Sequence, residues 1–434
     1  MVQAIIYNSV VMYLPAMALN SIFGISQHLS ILVFGLLCVL YSVVGGLKAV
    51  VWADFFQGLM IFGCILSIAT IGTYESGGVN ELFSTAFSGG RLNLGNIDNV
   101  DLSTRHTYFG LIVGGTLNYI CMTSMNQVQL QRALSLPTLG LAQWSIILCT
   151  LYGTVILFLA GYMGFVIYSA YGPCDPFLNG QIHRRDIILM HYVADRLGHI
   201  PGLRGLFVAS IVSATLSTLS SFANSMSAVA LQDFATPLYR KFRAKTLLSE
   251  RQSLHLAKIF TCLFGLVCIV LAYAVEKANS RLLQIALTLL SAVGIPFLAS
   301  FVLGIYTRFT NSTGINIAII LSVAFGGYIV VVQAFLSAAL EPITSVVQNE
   351  QCFSVYNMTL DPSQLSSTSV VSSSFGVQKS DHTIIDGNNH PFLADTSYLM
   401  LPVLQFILML LIAPAVSLAT GGLRNKVPDK YVSV

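Results

Sequence analysis

Apolar runs long enough to cross a bilayer recur from one end of this chain to the other. They fall at residues 5–19, 29–44, 50–71, 108–125, 141–169, 205–231, 255–275, 282–306, 315–335 and 398–418. A helix needs roughly 17–25 predominantly apolar residues to span the hydrocarbon core, so the pattern predicts about ten spanning helices. Inside that core every backbone polar group must be paired within the protein, which leaves only helices and closed barrels. The runs are too long for barrel strands and do not alternate. Composition agrees, with 55% hydrophobic and only 9% charged residues, where a soluble domain carries about 25% charged. The expectation is an all-α polytopic membrane protein, one transmembrane domain over residues 1–434, with the lipid bilayer as its medium and no nucleic acid as partner.

No charged segment or small-residue cleavage site precedes the first run, so no signal peptide is read. The short basic stretches at 240–245 and 424–430 set the orientation, because cytoplasmic loops carry the excess of Lys and Arg. Both chain ends are then cytoplasmic, including the tail 419–434, and the protein is a multi-pass protein of the plasma membrane. Residues 75–106, 171–204 and 339–397 form the extracellular loops, and 186–197 is expected as a short amphipathic helix at the outer surface. Asn357-Met358-Thr359 lies outside and is a glycosylation acceptor, whereas Asn311-Ser312-Thr313 lies inside and should be silent.

The chain has eight cysteines. Cys38, Cys64, Cys121, Cys149, Cys262 and Cys268 fall in spans, where buried thiols are ordinary packing groups. Cys174 and Cys352 fall in outer loops, where an oxidising medium permits a disulfide between them. His183, His191 and His199 read as solvated loop histidines. No CxxC or other metal spacing, nucleophile elbow, P-loop or dinucleotide fingerprint occurs. The chain is therefore not read as an enzyme, and no cofactor is expected.

The run at 205–233 stands apart from the others. It reads GLFVASIVSATLSTLSSFANSMSAVALQD and is crowded with hydroxyls. Ser217, Ser221 and Asn224 sit at helical offsets of four and three and share one face, with Thr218 beside them. Neutral oxygens on one face suit a hard monovalent cation stripped of water. They also suit close helix packing, which is the plainer reading of this stretch alone.

Three further stretches are odd for lipid-facing helices. In YSVVGGLKAVVWADFFQ, Gly45 and Gly46 make a tight inside turn and Asp54 then enters a span. An intramembrane carboxylate normally faces a protein or water cavity and marks a pathway, although a helix N-terminus also favours an interfacial Asp. In VGGTLNY, Gly114 and Gly115 weaken a span just before Asn118. Transporters use broken helices to bind substrates and ions at mid-membrane, and glycines equally allow close packing. NQVQLQR is a polar cytoplasmic exit that could cap helix carbonyls or line an inner gate.

Together these motifs resemble the sodium:solute symporter family. YSVVGGLKAVVWADFFQ looks like its signature region, NQVQLQR like the motif after core helix 6, and LSTLSSFANSMSAVALQD like core helix 8. The chain is most similar to the branch of animal sodium-dependent multivitamin and sodium-coupled monocarboxylate transporters, which IIYNSVVMYLPAMALNSIFGIS and LATGGLRNK also match. The resemblance implies the inverted-repeat (LeuT-like) alternating-access fold. It implies that Ser217 and Thr218 ligate sodium, that Ser221 and Asn224 support the site, and that Asp54 lines the sodium exit path. It also implies that Gly114, Gly115 and Asn118, with Gln284 on a later span, face the substrate. Under this resemblance Met1 falls just before core helix 3, so the first core helices are expected to be missing.

The resulting expectation is a sodium-coupled symporter of small organic anions, such as monocarboxylates or carboxylate vitamins, with Na+ as coupling ion. Each charge moved inward gains about 2.3 kcal/mol per 100 mV. The alternative is a truncated, non-transporting form that associates with or regulates a full-length relative.

Overall fold

Each apolar run closes its own amides by becoming a helix, and the helices stop where capping groups or glycine take over. The structure, a computed structural model, describes residues 1–92, 106–177, 179–182, 184–242, 248–277, 282–336 and 396–421. In chain order come α1 (Val2–Phe23), α2 (Gln27–Glu75), α3 (Val79–Ser88), a π-helical turn (Gly110–Gly114) running straight into α4 (Gly115–Ser124), and α5 (Gln127–Leu134). They are followed by α6 (Leu139–Tyr171), α7 (Ile188–Asp195), α8 (Leu203–Val229) and α9 (Thr236–Phe242). The last four are α10 (Glu250–Lys277), α11 (Leu282–Tyr306), α12 (Ser312–Leu336) and α13 (Leu401–Ala419). Gly24 ends α1 in the left-handed region at φ 69, where a side chain would be strained. The Ser26 hydroxyl then accepts from the Leu29 amide to start α2.

Among the described residues nine helical stretches are long and apolar enough to cross a membrane. The expected tenth, at 108–125, is helical but divided. Its first part takes the π form, and α4 adds only 10 residues. The glycine pair does not unwind the backbone. Instead Gly114 lets the Leu399 carbonyl approach so closely that a Cβ there would overlap it, which is the packing use of glycine.

Helix α2 is helical over 49 residues, which would reach about 74 Å if straight. Its two ends nevertheless lie on the same side. His28 pairs with Glu276 at the end of α10, and Glu75 lies 3.5 Å from His199, just ahead of α8. Between them Cys38 and Ser42 approach Leu219 and Ala223 of α8, while Asp54 meets Ser221 of the same helix. The helical run therefore turns back between Ser42 and Asp54, where the Gly45-Gly46 turn is expected.

The main core gathers α1, both arms of α2, α7, α8 and α10. Tyr7 of α1 lies 5.8 Å from Phe222 of α8 and the Val11 carbonyl lies 3.5 Å from Thr215 Oγ1, so α1 runs antiparallel to α8. Within 186–197 the expected short helix is present as α7. It buries Tyr192 against α2, where Gly72 leaves room for the ring. Burial, and then the Glu75 carboxylate, push the Tyr192 hydroxyl up to about 12. A second unit packs α11, α12 and α13 around Ala299, Leu303, Ala318, Met409 and Ala413. Large apolar side chains such as Leu40, Phe56, Leu148 and Phe158 point outward. In water such a surface would aggregate; in hydrocarbon it needs no cover.

Candidate functional site

Helix α8 is the inner pillar, enclosed by α1, both arms of α2, and α10. Ser210, Thr215, Ser220, Ser221, Ser225 and Ser227 are all buried on it. Several hydroxyls and the amide turn back on their own helix: Thr218 Oγ1 donates to Ala214 O at 2.9 Å, and Asn224 Nδ2 to Ser220 O at 2.9 Å. Serine and threonine need such a bond when no water is near. Ser217 makes no side-chain hydrogen bond among the described residues.

One turn along, α8 meets charge. Ser221 Oγ donates to Asp54 Oδ2 at 3.3 Å. The Arg132 guanidinium from α5 donates to the same carboxylate oxygen and, at 2.5 Å, to Ser221 Oγ. The helix start brings Arg132 there. Asn126 Oδ1 caps α5 by accepting from Val128 N at 3.0 Å, and Gln131 Nε2 donates to Ser225 O of α8 at 3.4 Å. NQVQLQR is thus a capped helix whose polar side chains reach α8. The Asp54 side chain is 13% exposed and that of Arg132 31%, so this ion pair is largely withdrawn from water and from salt screening.

Asp54 is only half satisfied. Its other oxygen, Oδ1, is buried with no hydrogen-bond partner among the described residues, and so is Gln57 Oε1 one turn further on α2. Bare acceptor oxygens at offset three face the same way. Hard cations take oxygen ligands, carboxylates and amide carbonyls included. The Nε of Arg132 in the same cluster is equally bare among the described residues, so the two free oxygens offer ligands to a small hard cation only when the guanidinium gives way. Among the described residues no cluster of His, Cys, Asp and Glu suited to a transition metal occurs.

The structure thus brings Asp54 and Ser221 into contact and keeps Ser217, Thr218 and Asn224 within a turn of them. Arg132 as the carboxylate's partner is what reading the residues in order missed. The available signal was that a buried carboxylate requires a counter-charge.

Of the remaining predicted residues, Asn118 meets α11. Asn118 is buried, and its Oδ1 accepts from Ser291 Oγ at 2.7 Å. Gly114 is covered by the Leu399 backbone, while a Cβ on Gly115 would meet nothing within 4 Å. Gln284 lies on α11, and its side chain is outside the described residues. Cys174 is disulfide-bonded, and the six span cysteines are free thiols. Cys352 and Asn357 lie outside the described residues. Asn311 is described: its Nδ2 donates to Thr420 Oγ1 at 2.8 Å and its Oδ1 accepts from Gly314 N at 2.8 Å.

Residues 1–340 match the family described as "Sodium:solute symporter family". The chain is 35% identical over 323 residues to the "Putative sodium-dependent multivitamin transporter" of Drosophila melanogaster, covering 74% of this chain and 53% of that protein. It is 32% identical over 435 residues to "Sodium-coupled monocarboxylate transporter 1" of Homo sapiens, covering 99% of this chain and 69% of that protein. The chain therefore spans between about half and about two thirds of the length of these relatives. In fold it is similar to a solved Na+-coupled sialic acid symporter in a substrate-bound outward-open state, with a TM-score of 0.66 and 19% identity, covering 96% of this chain and 72% of that one.

Proposed function

The chain belongs to the sodium:solute symporter family, and from that premise we propose that it carries out sodium-coupled symport of a small organic anion. The single observation that carries the reading is the half-satisfied Asp54 carboxylate beside the α8 hydroxyls. Sodium is ligated by Ser217 and Thr218, with Ser221 and Asn224 in support. Since α8 leads toward Arg240 and Lys241, the basic end taken as cytoplasmic, Asp54 stands one turn below that pair on the way in. Arg132 occupies the carboxylate when the cation is absent. An arriving sodium ion competes for the same oxygens, and the guanidinium returns as the ion leaves. The Asn118 region faces the organic anion, and sodium and anion stabilise one shared closed state, which is what couples them. Carboxylates of the monocarboxylate or vitamin type are the proposed substrate class, by analogy with the relatives' names.

The test is sodium-dependent uptake of labelled monocarboxylates and vitamins in cells making this chain. Ser217→Ala and Thr218→Ala each raise the half-saturating sodium concentration several-fold at equal surface expression. Unchanged sodium dependence in both variants defeats the assignment.

A second reading is a non-transporting chain that associates with a longer relative; the apolar window of α6 is only 6% buried, a face that lipid or such a relative can cover. Absence of uptake together with co-purification of a full-length relative selects it.

A further inference from the structure

Gln405 is a wholly buried amide within α13, at 0% exposure. A buried amide in a membrane span costs free energy unless it finds partners; the Oε1 of this one has none among the described residues, so its bonding is carried by Nε2. Its Nε2 gives its two hydrogens to carbonyls on two other helices, Ala292 O of α11 and Ser322 O of α12, each at 3.0 Å. Those two carbonyls are not alike. In α12 the residue four places on from Ser322 is Gly326, which has an amide to offer. In α11 the residue four places on from Ala292 is Pro296, which lies inside the helix and has no N–H. The proline strips Ala292 of its helical donor, and Gln405 covers the exposed oxygen. Gly326 leaves the space: a Cβ there would overlap the Gln405 amide and stand 3.0 Å from Ala292 Cα.

A similar arrangement occurs at α1. Pro15 lies inside α1, so the Val11 carbonyl lacks its donor, and Thr215 Oγ1 of α8 donates to it at 3.5 Å. Proline is accepted in membrane helices where neighbouring helices re-satisfy the freed carbonyl. At α11 the consequence reaches further. Ser291, adjacent to Ala292, is the residue whose hydroxyl holds Asn118 Oδ1 at 2.7 Å. Any re-aiming of the Ala292 peptide moves Ser291 with it.

We infer that Gln405 stands in for the amide that Pro296 lacks and thereby positions Ser291 against Asn118. What this does for substrate rests on Asn118 facing the organic anion; the stand-in itself does not.

Two double-mutant cycles on the purified full chain decide it, read as shifts in the thermal unfolding midpoint. Gln405→Met keeps the volume and removes the donors, so the midpoint falls. Pro296→Ala restores the helical N–H, and in that background Gln405→Met produces less than half the fall. An equal fall in both backgrounds overturns the stand-in. If Gln405→Met alone yields no folded protein, recovery of folded protein in the double variant supports the inference, and no recovery overturns it. In the second cycle Ser291→Ala lowers the midpoint of the parent but leaves that of Gln405→Met, or of Gly326→Ala if the former does not fold, unchanged. Additive falls overturn the positioning role. In uptake, Gln405→Met raises half-saturating substrate several-fold with half-saturating sodium unchanged, and Pro296→Ala reverses the rise. No rise, or a parallel rise of both constants, overturns the positioning role. A parent chain that carries no solute defeats the symporter reading and leaves both cycles to decide this one.

Discussion

Helices α6 and α8 both cross the membrane, and they do so in opposite styles. The apolar window of α6 has mean hydropathy 2.1 and is 6% buried; that of α8 has 1.7 and is 44% buried. Hydropathy alone ranks α6 as the better span. Lipid is as apolar as leucine, so a helix gains little by hiding leucine from it, and α6 leaves Trp144, Leu148, Leu151, Leu157 and Phe158 outside. A hydroxyl gains by leaving lipid, and α8 buries six of them. In a membrane protein the less apolar span is the inner one, and polar content marks the working helix.

The sharpest way to break this contrast is at the charge that α8 accepts. Asp54→Asn keeps the volume and removes the counter-charge from a partly buried Arg132. The change also removes the carboxylate charge proposed to receive sodium on its way in, so coupled turnover should fall by roughly tenfold or more, about 1.4 kcal/mol of barrier. Uptake at saturating sodium and equal surface expression measures it. Parental turnover would leave Asp54 as a structural partner of Arg132 with no part in transport.

Packing gives the next effect. Ser220 of α8 is 0% exposed and Leu148 of α6 is 61% exposed. Ser220→Leu overpacks the core and should destabilise by about 1–3 kcal/mol. Leu148→Ala should stay within about 0.5 kcal/mol, as surface changes do. Thermal unfolding of the two proteins compares them, and equal shifts would show that α6 is covered in the working protein.

These regions also differ in how plainly they could be read. The hydroxyl run at 205–233 announced a buried span, the Gly45-Gly46 pair announced a reversal, and Asp54 announced itself as a carboxylate out of place. Arg132 did not announce its role, because the two residues are 78 apart and only the meeting of α5 with α8 joins them. Gln405 is one amide in an apolar run, and its meaning depends on a proline in a different helix. The close approach of the Leu399 carbonyl to Gly114 is a contact no local pattern encodes.

Two smaller effects concern the loops between spans. Asn311 has its amide committed to Thr420 and Gly314, so glycan mapping should find Asn357 modified and Asn311 bare. Glycan on Asn311 would invert the orientation and with it the exit side of Asp54. Cys174 is proposed to pair with Cys352. Closing so long a loop stabilises by about 4–5 kcal/mol in the chain-entropy model, often less in practice. Peptide mapping without reduction should recover the two cysteines as one linked species. Labelling of both by an impermeant maleimide before reduction would sink the pairing.

The return of α2 upon itself bears on how the protein is made. Two membrane crossings are joined with no polar linker, so a ribosome-bound chain offers the translocon both arms as one helical hairpin. Lys48 is the one Lys or Arg in the 49 residues of that run, and by the excess of such residues in cytoplasmic loops it marks the expected side of the hairpin tip. A tag, epitope or protease site placed between Ser42 and Asp54 would separate arms that have no slack, whereas the outer loops can absorb one. In the folded protein both arms of α2 lie against α8.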